Sequence, residues 1–386
     1  MDQPGAGRGR RTIRAPLDRP LPGKRELKKA TEMQIWTSGV ASPRGILRVA
    51  RETEAGGWDG LVVVDSQNLS GDPYVSLAMA ATVTDRIGLG PGVTNSVTRT
   101  AAVTATSIAS VQRVAEGRAV MGIGRGDSAL AHLGRSPARL AQFERYLRHL
   151  QAYLKGEAVP FDDIVDISAD VAPPMSELQL ADAPADSCIG WIAGTDKVPV
   201  EVAASGPRVI EIGARHADRL MFTLGADVER IAWGIDQARH ARQKAGLDPD
   251  GIAFGAYINS ACHPDMDTAR DLVRGGLTTF ARFSVMHGKA SGPLTDDNRN
   301  VLQDLRSNYD MRKHTQGDSR QAGVLTPDFI DRFAIVGPPE RCIERLKGLA
   351  DLGLDKVIIS GGRRGADPEA AKEAQILMER EVLPAF

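Results

Sequence analysis

The sequence predicts an α/β fold, a TIM-type (β/α)8 barrel, on three observations. Eight short apolar runs alternate with helical segments over about 350 residues. Some of these runs are continuously apolar rather than alternating, which marks parallel strands buried on both faces. The runs end repeatedly in glycine or small polar residues, where barrels of this kind carry their active sites. An open doubly wound sheet is the alternative arrangement.

The elements follow in order. Met33-Gln34-Ile35-Trp36-Thr37 reads as the first strand, and Ile46, Leu47, Val49 and Ala50 give residues 43–56 helical spacing, closed by Gly56-Gly57. Gly60-Leu61-Val62-Val63-Val64 is a second strand ending in Asp65, Ser66, Gln67 and Asn68. A helix over 73–84 leads to the strand Ile87-Gly88-Leu89-Gly90, which runs on to Val93-Thr94-Asn95. A helix over 101–114 precedes the fourth strand, 118–123. The fifth strand is 198–204 with its helix at 207–216, and the sixth is 219–222 with its helix at 227–245. The seventh is 252–258, and the eighth, 356–360, lies between helices at 339–352 and 368–381.

Two segments break the rhythm, so the barrel carries insertions before strand 5 and between strands 7 and 8. Residues 156–196 are rich in Pro, Asp and Ala, and residues 260–337 are far longer than one crossover helix needs. An insertion of that length is often a binding lid. Two regions result: a basic arm at 1–32, disordered or surface-draped, and the barrel at 33–386. Residues 1–30 hold nine Arg or Lys and three acidic residues, a charge of +6, although the whole chain carries −1. The arm lacks the apolar stretch of a secretory signal, and its composition cannot build a core.

Near-neutral charge argues against nucleic-acid binding. No run approaches the roughly 20 apolar residues of a membrane span. Cys188, Cys262 and Cys342 form neither a disulfide framework nor a zinc pattern. P-loop and G-x-S-x-G motifs are missing, which disfavours a phosphoryl transferase or serine hydrolase. The expectation is a cytoplasmic protein acting on a small-molecule substrate, without bound metal.

The polar residues at the strand ends are Ser38, Asp65, Gln67, Thr94, Asn95, Arg125, Asp127, Ser205, Thr223, Asn259 and Ser360. Three features stand out. Gly90-Pro91-Gly92-Val93-Thr94-Asn95 places glycines inside a strand, a mark of a bulge or a close approach by another backbone or a ligand. Gly122-Ile123-Gly124-Arg125-Gly126-Asp127-Ser128 lacks dinucleotide-fold spacing, but as a strand-to-helix turn it admits a flat ring or a phosphate. Ala204-Ser205-Gly206-Pro207-Arg208 opens a helix with exposed amides and a cation, a natural phosphate seat; a simply capped helix is the bland reading.

Glu201 is a carboxylate inside an apolar strand, so it is either functional or paired with an arginine of a neighbouring strand. The histidines show no metal-ligand spacing. His132 follows the glycine turn and His287 lies in the long insertion, where each is a candidate for touching substrate.

Taken in order, these features resemble the luciferase-like superfamily of flavin- and deazaflavin-dependent oxidoreductases. The third strand ends Gly92-Val93-Thr94-Asn95, the fourth ends Gly-Ile-Gly-Arg-Gly-Asp-Ser, the fifth ends Ala-Ala-Ser-Gly-Pro-Arg, and Gly353 to Ile359 looks like the family's last strand. The resemblance spans residues 33–380 and points to the branch that uses coenzyme F420, including methylenetetrahydromethanopterin reductases. It implies a ring lying across the strand tops, supported by a non-proline cis peptide at Gly92–Val93. Gly92, Val93, Thr94, Asn95, Gly124 and Asp127 would border the ring or its tail. Ser205, Gly206, Pro207 and Arg208 would hold the phosphate, with Thr223 and Gly225 completing that seat.

The implied chemistry is hydride transfer between F420 and a small organic substrate, with Asp65 and Glu201 as candidates for the accompanying proton. An FMN-dependent monooxygenase is the rival within the family, and a ligand-binding barrel without turnover is the rival outside it. The resemblance also implies a homodimer.

Overall fold

The computed structural model describes residues 33–286, 288–360 and 365–386; the basic arm and His287 lie outside them. Nine parallel strand segments run β1 Gln34–Val40, β2 Gly60–Val64, β3 Gly88–Pro91, β4 Thr94–Asn95, β5 Met121–Gly124, β6 Val200–Ala204, β7 Arg219–Phe222, β8 Ala253–Ile258 and β9 Lys356–Ile359. Their order around the sheet is β3-β2-β1-β9-β8-β7-β6-β5-β4. Leu89 closes the ring by pairing with Ala119, its amide donating to the Arg118 carbonyl at 3.0 Å. The eight staves are therefore those expected, with the third interrupted between Pro91 and Thr94. At that interruption the Gly92–Val93 peptide is cis.

The helices α1 Ile46–Ala55, α2 Pro73–Ala81, α3 Ala101–Val114, α4 Ser128–Ala131, α5 Leu140–Lys155, α6 Pro207–His216 and α7 Val228–Lys244 follow in chain order. Side-chain caps start several of them: Asp72 accepts from the Tyr74 and Val75 amides, Thr100 from Val103, and Asp227 from Glu229 and Arg230. Pro207 occupies the first turn of α6, where its missing N–H costs no helical bond. The 16-residue α5 is an element the sequence reading left unassigned. Its amphipathic face buries Phe143, Tyr146, Leu147, Leu150 and Tyr153 against the barrel's outer layer.

The main core lies between the strands and this ring of helices, with β2 buried through Val63 and only Val64 part-exposed. A second, smaller cluster fills the barrel itself: Trp36, Val62, Met221, Tyr257 and Ile358. The insertion at 156–196 contains one short antiparallel pairing, Val159–Pro160 with Asp186–Ser187, and is otherwise mostly exposed.

The insertion between β8 and β9 is a folded module. Ser260–Cys262 and Ile335–Gly337 pair in parallel at its base. Between them run α8 Met266–Phe283, α9 Asp296–Asn308 and α10 Pro327–Phe333, packed around Leu277, Leu302, Leu305, Phe329 and Phe333. The helices α11 Pro339–Asp351 and α12 Pro368–Leu377 follow, the latter running into a π-helical turn at Met378–Val382 and a 3-10 turn at Leu383–Ala385. No helix among the described residues is long and apolar enough to cross a membrane.

Candidate active site

The C-terminal ends of the strands and the inner face of α8 enclose a cavity of about 1040 Å³. Its walls gather twelve of the predicted site residues: Asp65, Gly92, Val93, Thr94, Asn95, Gly124, Asp127, Ser205, Gly206, Pro207, Arg208 and Thr223. The remaining two, Glu201 and Gly225, are not among its lining residues.

The floor is built by the broken third stave. A Cβ on Gly92 would stand 2.7 Å from the Cβ of Val62, so the chain passes there only as glycine. Thr94, just beyond the break, donates to Asp65 Oδ2 at 2.5 Å. The same oxygen receives Arg99 Nη1 at 2.6 Å, and Oδ1 receives Gln67 Nε2 at 2.7 Å. Asp65 is thus a buried carboxylate whose two oxygens take three protein donors, an arrangement suited to holding its neighbours. Asn95 turns its Oδ1 back to the Val97 and Thr98 amides, both at 3.0 Å, while its Nδ2 finds no partner among the described residues.

The wall at β5 and β6 is cationic. Gly206 caps α6 without a side chain, and a Cβ there would meet nothing within 4 Å. Arg208 follows in the first turn. The Arg125 guanidinium across from it is pushed below its ordinary value, first by burial and then by the positive charge of Arg208. Two like charges on one wall, beside the positive end of a helix, favour an anion between them.

The insertion forms the roof. Arg282 of α8 makes a two-point ion pair with Asp127, one arm at 2.9 Å, and its guanidinium lies 4.6 Å over the Tyr309 ring. Ser205 donates to the Phe283 carbonyl at 3.2 Å, a second tie between barrel and roof. Phe280, Phe283 and Met286 give the roof an apolar lining.

Glu201 requires a correction as a proton carrier. It lies inside the barrel, 1% exposed, where Lys356 Nζ meets both its oxygens at 2.9 Å and Arg219 Nη1 meets Oε1 at 2.6 Å. Burial would raise its pKa, but the two cations hold the carboxyl below its ordinary value. Lys356 lies 3.3 Å over the Trp36 ring, and burial, only partly offset by Glu201, pushes its ammonium down to about 8. The structural alternative, pairing with an arginine of the neighbouring strand, is the one observed. Gly225 is likewise a packing residue: its φ is +80°, and a Cβ would stand 2.7 Å from Phe333. The site also takes in Tyr257, next to last in β8 and part of the cavity lining, and Arg282 of the long insertion, neither of them among the predicted site residues.

The residues present fit a ring with an anionic tail. Asn95 Nδ2, His132 Nε2 and Tyr257 Oη are buried polar atoms without partners among the described residues, and all three side chains belong to the cavity wall. Open space at Gly206 and the Arg125–Arg208 wall supply the anion seat.

The chain is similar in sequence and fold to known proteins. The sequence pattern of the family described as luciferase-like monooxygenase matches residues 27–356. The 5,10-methylenetetrahydromethanopterin reductase of Methanolobus tindarius is 27% identical over 332 residues, covering 84% of this chain and 92% of that protein. Among solved structures, the coenzyme F420-dependent tetrahydromethanopterin reductase of Methanopyrus kandleri superposes with a TM-score of 0.67 at 20% identity, covering 92% of this chain and 99% of that one. The FMN-bound oxygenating component of 3,6-diketocamphane monooxygenase from Pseudomonas putida superposes at 0.60 with 16% identity, covering 92% and 98%.

Proposed function

Because the chain belongs to the luciferase-like monooxygenase family, we propose that it is an oxidoreductase that uses coenzyme F420 for hydride transfer to or from a small organic substrate. The observation that carries this reading is the long similarity to a methylenetetrahydromethanopterin reductase, coupled to a cavity floored by the Gly92–Asn95 break. When bound, F420 supplies a two-electron hydride carrier, so reducing a substrate adds that hydride and one proton.

The chain's own residues do the rest. Gly92 presents bare backbone as a floor next to Val93, and Asp65 fixes Thr94 beside it. Asn95, Gly124 and Asp127 border the ring. Ser205, Gly206, Pro207, Arg208 and Thr223 seat the phosphate at the start of α6. Phe280, Phe283 and Met286 exclude water above the reacting atoms. We assign the proton to His132, whose ring nitrogen Nε2 has no protein partner among the described residues. Orientation of the two reactants supplies most of the remaining rate.

The family description favours one alternative, an FMN-dependent monooxygenase in which the same roof shields the reduced ring during reaction with oxygen. Affinities of the purified protein for F420 and FMN decide between them: tighter F420 binding is expected, and a preference for FMN sinks the first reading. Stoichiometric binding without turnover across a substrate screen would instead mark a binding barrel. We further propose a cytoplasmic homodimer, which sedimentation should place at twice the 41.3 kDa chain mass.

A further inference from the structure

Arg99 lies behind the cavity rather than in its wall, yet it holds the floor. Its Nη1 reaches Asp65 Oδ2 at 2.6 Å, the same oxygen that receives the Thr94 hydroxyl at 2.5 Å. Thr94 stands one residue beyond the Gly92–Val93 bond. The Arg99 side chain is 18% exposed and that of Asp65 is 1% exposed, so the carboxylate has little water to neutralise it. Among the described residues its other side-chain donors, Thr94 and Gln67, are uncharged. A buried carboxylate left without its cation either takes up a proton or moves. Either response weakens or displaces the oxygen that accepts from Thr94.

Three further contacts tie Arg99 sideways to α2 and α5. Its Nη2 bonds Asp72 Oδ2 at 2.7 Å, while Asp72 Oδ1 caps α2. Its guanidinium lies 5.0 Å over the Tyr74 ring, and its carbonyl accepts from Tyr146 Oη at 3.1 Å. The line of contacts that ends at the floor runs from Arg99 through Asp65 to Thr94, and the tie to α2 lies to its side.

We propose that Arg99 is a positioning residue for the bound ring, acting through Asp65 and Thr94 to fix the height and tilt of the cavity floor. The proposal rests on the ring-binding reading above. It assigns to Arg99 an effect on ring affinity and on the absorption of the bound ring, separate from its tie to α2.

The test is a double-mutant cycle with R99M, D65N and the pair, read by F420 and FMN affinity and by the absorption band of each bound ring. R99M and D65N should each weaken binding about tenfold and shift the band, and the double variant should bind no more weakly than either single one. R99K should recover part of the affinity. D72N, which removes only the lateral tie, should lower the melting temperature and leave affinity and band unchanged. Additive losses, wild-type binding by R99M, or an equal affinity loss in D72N overturns the proposal. Wild-type preference for FMN defeats the F420 reading, while the cycle is then read with FMN. Binding of neither ring by the wild type overturns both.

Discussion

Arg282 of α8 grips Asp127 at the top of β5 through both terminal nitrogens of its guanidinium, with side chains that are 15% and 13% exposed. A fork-to-fork pair in so little water fixes orientation as well as distance. It joins the roof of the cavity to the barrel at a residue that also borders the proposed ring site.

Cutting that tie should loosen the roof without unfolding the barrel. R282M is expected to lose about 1.5–3 kcal/mol of stability, the range for hydrogen bonds to charged groups. Hydrogen exchange in residues 284–316 should accelerate, while the peptides of β1 and β2 stay protected. Unchanged exchange in the roof would show that the remaining contacts suffice to hold it.

Glu201 is expected to matter for stability and not for proton transfer. E201Q leaves Lys356 and Arg219 beside a neutral amide in the barrel interior. Breaking a buried pair of this kind costs about 3–5 kcal/mol. Denaturant unfolding should show that loss, and the folded fraction should bind F420 with wild-type affinity. A folded E201Q of wild-type stability that lacks turnover would restore the catalytic reading.

Lys356 gives a pH dependence with a definite sign. Burial lowers its folded value to about 8, below the ordinary lysine value of about 10.4. Between those two pH values the unfolded chain holds a proton that the folded chain has released. The contribution of this group to stability therefore rises across that window, and its burial cost is fully present below it. Measured against K356M, wild-type unfolding free energy should climb from pH 8 to 10.5. A flat or falling difference would contradict the assignment.

Two glycine substitutions should separate packing from binding. G92A drives a methyl group into Val62 and should destabilise by about 1–3 kcal/mol. G206A meets no atom within 4 Å and should leave unfolding unchanged, while filling the proposed phosphate seat. R208M should act on that seat too, erasing most of any preference for FMN over riboflavin. Equal binding of those two ligands by the wild type would place the phosphate elsewhere.

H132Q tests the proton assignment. It should reduce kcat about 10²–10⁴-fold, the usual yield of a positioned acid or base, with a much smaller loss of ring affinity. A matched loss in affinity would make His132 a binding residue instead.

Much of this architecture was legible because local pattern and tertiary role coincide. The run Gly60–Val64 is apolar on both faces and pairs with a strand on each side. Glycines at 92 and 206 mark places where a side chain would strike a neighbour or enter the cavity. Pro207 announces the helix start beside the cationic wall. What escaped depends on register. An arginine of the neighbouring strand is the expected structural partner of Glu201, and Arg219 is its register partner; Lys356, from a strand 155 residues away, is not readable from spacing along the chain. Tyr257, next to last in β8, reaches the cavity from within an apolar run, and a reading of the polar residues that close the strands passes over it. The amphipathic spacing of α5, by contrast, was present in the sequence and left unread.

The parallel pairing of Ser260–Cys262 with Ile335–Gly337 brings both ends of the roof insertion to one seam, above which the module keeps an apolar core of its own. The barrel and the roof are thus two packing units of one body, hinged on a single seam and locked by a few side-chain ties, of which Arg282 to Asp127 and Ser205 to Phe283 cross the cavity.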